Sequence, residues 1–282
     1  MTHGHHAHDH HQHEHQHLAE ILDLDAEVLH AHLAELTGWI DAHTGAVHDI
    51  LDVGAGTGTG TFALLRAFPR STVTAVDAAP EMLERLAAKA RQHGLADRVR
   101  TVAADLDAGW PDLAPVDLAW ASSSMHHMAD PDAVLARLHA TLRPGGLLAV
   151  VEMTSFPRFL PADVGVGRPG VEERCNALID AERVRRLPHV EADWTARIAK
   201  AGFTVEAERT FAVDIAPPAP EATRRYAHAT LSRIREKLDG LLDTDDAAAL
   251  DVLLDPERPE SVLRRDDLSV RTSRQGWLAR RT

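Results

Sequence analysis

The chain has 282 residues, 44% of them hydrophobic, with a formal net charge of -13. That composition can bury a sizeable core, which excludes wholesale disorder. The acidic balance excludes DNA or RNA as a partner, because phosphate binding calls for Lys and Arg in excess. The sole cysteine, Cys175, excludes an internal disulfide and any multi-cysteine zinc site. The apolar run from Leu147 to Val151 is far too short to cross a bilayer. The first residues hold no hydrophobic signal core. A cytoplasmic protein with no membrane partner is expected.

Residues 3 to 17 carry nine histidines among Asp9, Gln12, Glu14 and Gln16. Ala7 is the one apolar interruption, so residues 1–17 are expected to form a disordered tail. The irregular histidine spacing differs from a purification tag. Many imidazoles on a flexible chain bind Zn or Ni weakly. Residues 18–46 follow, where Leu18, Ile21, Leu22, Val28, Leu29, Leu33, Leu36 and Ile40 predict one or two amphipathic helices. Asp23 or Asp25 is expected to cap the second of them.

The next stretch organises the rest: Ile50-Leu-Asp-Val-Gly-Ala-Gly-Thr-Gly-Thr-Gly60. Val47, Ile50, Leu51 and Val53 run into a turn with glycines at 54, 56 and 58. Phe62, Leu65 and Phe68 then recur at helical spacing and Pro69 stops the helix. This order predicts a buried strand, a sharp turn that a ligand can approach, and a helix whose N-terminus faces that ligand. A phosphate-binding P-loop needs a lysine after the last glycine, and none is present. The dinucleotide fingerprint needs a glycine where Thr59 stands.

Thr72 to Asp77 reads as a second strand ending in a carboxylate, and Pro80 opens a helix that closes at Gly94. A carboxylate there can accept both ribose hydroxyls of a nucleoside lying across the first turn. Val99 to Ala103 is a third strand, followed by Asp105 and Leu106. Val116 to Ala121 is a fourth, running into Ser122, His126 and His127. Asp130-Pro131 starts a helix, Arg143 to Gly146 is a turn, and Leu147 to Glu152 is a fifth strand.

Asp52-x-Gly54-x-Gly56-x-Gly58, Asp77, Asp105 and the run from His126-His127 through Asp130-Pro131 to Pro144-Gly145-Gly146 occur in this order. Together they resemble the class I S-adenosylmethionine (SAM)-dependent methyltransferases over residues 47–153. The resemblance implies a Rossmann-like, doubly wound α/β sheet of seven strands with an antiparallel last strand. It also implies SAM as cofactor. Asp52, Gly54, Ala55, Gly56, Thr57 and Gly58 would then be cofactor-binding, with the glycine turn passing under the methionine portion. Asp77 would hold the ribose and Asp105 with Leu106 the adenine, with Ala78, Met82 and Ser122 as further cofactor-binding residues. The residues after the fourth strand lack the Asn/Asp-Pro-Pro-aromatic motif of DNA and protein-amide enzymes. They also lack the carboxylates of magnesium-dependent catechol-type enzymes.

The remaining chain supplies an insertion at 154–188, a helix from Val190 to Ala201 and a sixth strand from Phe203 to Arg209. A helical insertion at 217–266 follows, in which Thr244 can cap a helix. The last strand spans Leu268 to Arg271, with Trp277 to Arg280 as its continuation or partner. The resemblance implies that the N-terminal helices and both insertions cap an acceptor pocket. The expected function is methyl transfer to a small-molecule acceptor, mainly by proximity and orientation. His126 or His127 is the candidate general base, ahead of Tyr226 and Glu152. A homodimer is compatible with this reading. The competing readings are a metal-binding protein using the histidine-rich tail and a nicotinamide-dependent oxidoreductase.

Overall fold

A computed structural model describes residues 4–282, with side chains described from Gln16 onward. Seven strands form one sheet in the order β3-β2-β1-β4-β5-β7-β6. They are β1 (Asp49–Val53), β2 (Thr72–Asp77), β3 (Val99–Ala103), β4 (Val116–Ser122), β5 (Leu142–Arg158), β6 (Phe203–Ile215) and β7 (Val270–Arg281). The pairs β1–β2, β1–β4, β2–β3 and β4–β5 are parallel. The last strands run antiparallel, so the expected seven-stranded, doubly wound sheet is what the chain forms.

The chain divides into two compact units. The sheet unit comprises His30–Met153, Pro188–Phe211 and Arg274–Thr282. It includes α2 (His30–Asp41), α3 (Thr59–Ala67), α4 (Pro80–Gln92), α5 (Pro131–Thr141) and α7 (Trp194–Lys200). The strand period of two sorts its core. Leu51, Val53, Ala119, Ala121, Leu148 and Val150 face one layer, with Val134, Leu135 and Leu138 of α5 and Ile198 of α7. Ile50, Leu118, Trp120, Leu147, Ala149 and Val151 face the other, with Leu36 and Ile40 of α2 and Leu64 and Leu65 of α3. Burial on both faces explains why these strands read as near-continuous apolar runs.

The helical unit comprises the chain up to Leu29 with Thr154–Leu187 and Ala212–Ser273. Its helices are α1 (Gly4–Val28), α6 (Val171–Arg186), α8 (Ala222–Lys237) and α9 (Thr244–Leu254). Leu24 and Val28 of α1, Val171, Cys175 and Ile179 of α6, Tyr226, Leu231 and Ile234 of α8 and Leu250 and Leu253 of α9 share one core. Glu172 enters this core to accept the N–H groups of Phe159 (2.8 Å) and Leu160 (2.9 Å). Burial pushes its carboxyl up to about 7.

Several boundaries differ from the sequence reading. The backbone is helical from Gly4, where a structureless tail is expected. Helix propagation adds one hydrogen bond per residue once a packed segment such as 18–28 has nucleated it. Residues 1–3 lie outside the described residues. Asp23 and Asp25 lie inside α1 and do not cap α2, because the break falls at Leu29. Asp25 instead accepts the Tyr226 hydroxyl at 2.8 Å. The Arg143–Gly146 turn is absorbed into β5 through a register shift against β4. Helix α7 starts at Trp194, with Asp193 capping it through Ala196 N–H. Asp243, not Thr244, caps α9, because its side chain accepts from Asp246 N–H. β6 continues to Ile215, and β7 is one strand through Gly276.

Candidate active site

Every predicted cofactor-site residue falls in the sheet unit, at the carboxyl ends of β1, β2, β3 and β4. β1 ends at Val53, and the turn that follows doubles back onto β2. There the N–H groups of Gly54 and Ala55 both donate to the Val76 carbonyl, at 2.9 and 3.1 Å. Gly54 has a φ of +69°, and a Cβ on it would lie 2.5 Å from Ser124 Cβ. No other residue fits that close approach between the first turn and the loop after β4. Gly60, in the first turn of α3, meets Trp120 in the same way, with its virtual Cβ 2.5 Å from Nε1.

Asp77 sits at the end of β2, half-buried. One oxygen accepts Gly56 N–H at 2.8 Å, and the other accepts Ala79 N–H at 2.9 Å. Each carboxylate oxygen keeps a second lone pair for a hydroxyl ligand. The carboxylate therefore belongs to the glycine turn as well as to its own strand. Ala78 beside it is exposed, whereas Met82 is buried in α4.

Asp52 points inward. It is 2% exposed, and the Thr61 hydroxyl donates to its Oδ2 at 2.6 Å. Burial first, with the neighbouring Asp77 charge adding to it, raises the Asp52 carboxyl to about 7. Thr57, Ala55 and Gly58 are buried too. The side chain of Asp52 thus ties β1 to the first turn of α3.

Asp105 is exposed, and its side chain accepts Asp107 N–H at 3.0 Å. This is a turn built on its own backbone, which leaves its other oxygen available. Leu106 is partly buried against the sheet core. Asp107, which sequence reasoning passed over, accepts the N–H groups of Ala129 and Asp130 and so joins the loops after β3 and β4. Linear spacing carries no signal for that link across 22 residues.

β4 ends at Ser122, and Ser123 takes a left-handed backbone with φ +53°. Its N–H donates to Val151 O at 2.7 Å, and the Ser124 hydroxyl donates to Val53 O at 2.8 Å. Strain at a non-glycine residue of this kind persists where surrounding bonds over-determine it. The turn that results brings His126 to Glu152 on β5. Nδ1 of His126 lies 2.5 Å from Oε2, and Met125 N–H donates to Oε1 at 3.0 Å. His126 is buried, while His127 is exposed, with the two rings 4.1 Å apart. With Nδ1 committed to the carboxylate, Nε2 is the ring nitrogen left for another partner. Tyr226, another of the base candidates, belongs to the helical unit and donates to Asp25.

Among the described residues no group of three or more His, Cys, Asp and Glu side chains is arranged to hold a metal ion. No helix of the described residues is long and apolar enough to cross a membrane.

A parallel α/β sheet with a glycine turn after its first strand and a carboxylate after its second defines a nucleoside-binding fold. The particular branch follows from comparison with known proteins. Residues 51–148 match the model of a family described as a methyltransferase domain. Trans-aconitate 2-methyltransferase of Azoarcus sp. (strain BH72) is 39% identical over 36% of this chain and 37% of its own length. The 27-O-demethylrifamycin SV methyltransferase of Amycolatopsis mediterranei is 29% identical over 68% of this chain and 62% of its own. The alignments therefore span less than two thirds of these relatives. A solved structure from Bacillus halodurans C-125, described as a candidate methyltransferase, superposes with a TM-score of 0.55 at 18% identity. That match covers 88% of this chain and 98% of the other. Residues 51–148 thus match a methyltransferase domain, in line with the resemblance read from the sequence.

Proposed function

We propose that this protein binds SAM and transfers its methyl group to a small-molecule acceptor. The observation that carries the reading is the Asp77 carboxylate bonded to Gly56 N–H, a ribose acceptor built into the glycine turn. Gly54, Gly56 and Gly58 would pass beneath the methionine portion, and Asp105 and Leu106 would meet the adenine. SAM supplies an electrophilic methyl on a cationic sulfur. The chain's own task is to hold the acceptor in line behind that methyl, at roughly 3–3.5 Å. A base helps only where the acceptor carries a proton that must leave. The His126–Glu152 pair supports a base at His126 Nε2, with Glu152 holding the ring and balancing the imidazolium that forms. His127 is assigned to shaping the loop beside it.

The residues that choose the acceptor are proposed to lie outside the matched stretch, in 154–188 and 217–266. The net charge of -13 favours a small molecule over nucleic acid. The test is calorimetric titration with SAM and with NAD. Asp77→Ala should weaken SAM binding at least about tenfold, since a charged acceptor is worth roughly 1.5–3 kcal/mol. SAM affinity unchanged in Asp77→Ala and Asp77→Asn alike, or binding of NAD in its place, would remove the assignment.

A further inference from the structure

We propose that Asp107 is a positioning residue that couples the adenine side of the cofactor site to the loop carrying His126. The proposal rests on the reading that Asp105 and Leu106 meet the adenine. Asp107 follows them directly, in the loop after β3. Its own N–H donates to Asp105 Oδ1 at 3.0 Å. Its carboxylate reaches away from that loop to the segment after β4. Both oxygens accept Ala129 N–H, at 3.0 and 2.9 Å, and Oδ1 also faces Asp130 N–H at 3.4 Å. These two N–H groups stand just before the first turn of α5, where the helix dipole favours a negative charge. Asp130 in turn caps α5 by accepting Ala133 N–H at 3.0 Å. One short path of bonds therefore runs from the Asp105 carboxylate to the start of α5.

The base candidate lies inside the segment that this contact closes. The single 3₁₀ turn Met125–His127 carries His126 and ends two residues before Ala129. The segment is tied down along its length. At its front, the Ser124 hydroxyl donates to Val53 O on β1. In its middle, Glu152 on β5 accepts Met125 N–H and holds the His126 ring. At its rear stands Asp107. His189 also meets Ala129 O at 3.4 Å, but it joins the segment to Arg197 of α7 and not to the adenine loop. Ser124 and Glu152 are 6% and 5% exposed, whereas Asp107 lies open to solvent. Buried anchors stay closed, while an exposed contact competes with water and opens most readily. The rear contact is therefore the one whose closure a ligand on the adjoining loop can shift. Leu106 and Met128, on either side of that contact, pack against one core, so its closure seats both loops on the same layer. With an adenine held at Asp105 and Leu106, the Asp107 contact is closed and His126 is set in place before an acceptor enters.

The experiment uses the full chain, SAM and amide hydrogen exchange, with calorimetry for affinity and thermal melting to check the fold. In the parent, saturating SAM should slow exchange over residues 125–130 at least about fivefold, the low end of ordinary coupling between two sites. In Asp107→Ala that slowing should fall below about twofold, although SAM still binds and still protects residues 104–109. SAM affinity should drop about fivefold in the same variant, which is the same coupling measured from its other end. Asp107→Asn keeps one accepting oxygen for Ala129 N–H and should restore at least about half of the slowing. Asp112→Ala removes an exposed carboxylate further along the same loop and should match the parent in every reading. Slowing over 125–130 retained in full in Asp107→Ala would overturn the coupling. So would faster exchange there by one factor with and without SAM, the mark of a purely structural contact. Absence of SAM binding in the parent would instead remove the cofactor reading, and the coupling with it.

Discussion

Glu152 on β5 holds His126 in the loop after β4, with Nδ1 and Oε2 2.5 Å apart and both residues about 5% exposed. The same carboxylate also accepts Met125 N–H. One carboxylate thereby holds both the backbone of the loop after β4 and the ring of its buried histidine.

On the best hydroxyl acceptor found by screening SAM turnover, His126→Ala should lower kcat by 10²-fold or more, within the usual range for a general base. Glu152→Gln should lower kcat too, while SAM affinity stays within about threefold. His127→Ala should cost less than about tenfold. Losses below tenfold in all three would leave proximity as the whole mechanism.

Asp52 should make the fold less stable as pH rises. Its folded-state carboxyl is raised by burial to about 7, well above the ordinary carboxylate range, so the folded state holds a proton that the unfolded chain releases. Its contribution is present below the unfolded value and is lost between about pH 4 and pH 7. Asp52→Asn keeps an acceptor for Thr61 and removes the titration. Urea midpoints should therefore fall between pH 5 and pH 8 in the parent more steeply than in Asp52→Asn. Parallel slopes would contradict the buried carboxyl. Glu172, also raised to about 7 by burial, works in the same direction, so Glu172→Gln should flatten the profile further.

Gly54→Ala should destabilise the protein by about 1–3 kcal/mol, through a left-handed backbone and a collision with Ser124. Ser124→Gly in the same chain should recover part of the loss, because it removes the atom struck. A denaturant midpoint unchanged by Gly54→Ala would show that the loop after β4 does not rest on the turn.

In the helical unit, Arg174 makes a two-point contact with Asp246, at 2.7 and 2.6 Å, and Arg168 reaches the same carboxylate. The Arg174 hydrogen bond comes first among the causes that hold the Asp246 carboxyl below its usual range. Its contribution is full at neutral pH and is lost as pH falls through that lowered value. Arg174→Ala should cost about 1–3 kcal/mol at pH 7, discounted because Arg174 is about a third exposed. The cost should shrink in acid. A penalty that stays constant from pH 7 down to pH 3 would point to lost packing instead.

Some of this was legible in the order of residues. β2 and β3 lie within the bounds that apolar runs and turn residues predict, because each is closed by local chemistry: Pro80 at a helix start, or the break after Ala103. The glycine turn and Asp77 declare themselves for the same reason, since a sharp turn needs residues without Cβ whatever packs around it. What tertiary structure decided lies between distant segments. Asp52 carries the same letter as Asp77, yet one faces Thr61 in the core and the other faces the turn. Nothing in the linear sequence sets Glu152 against His126, 26 residues apart; parallel pairing of β4 with β5 does. The backbone of residues 4–17 shows the same limit. Composition argues against a packed structure there, but a helix already nucleated by packed residues extends at little cost through polar neighbours. Local sterics write turns and caps into the sequence, whereas burial and partner choice are properties of the folded sheet.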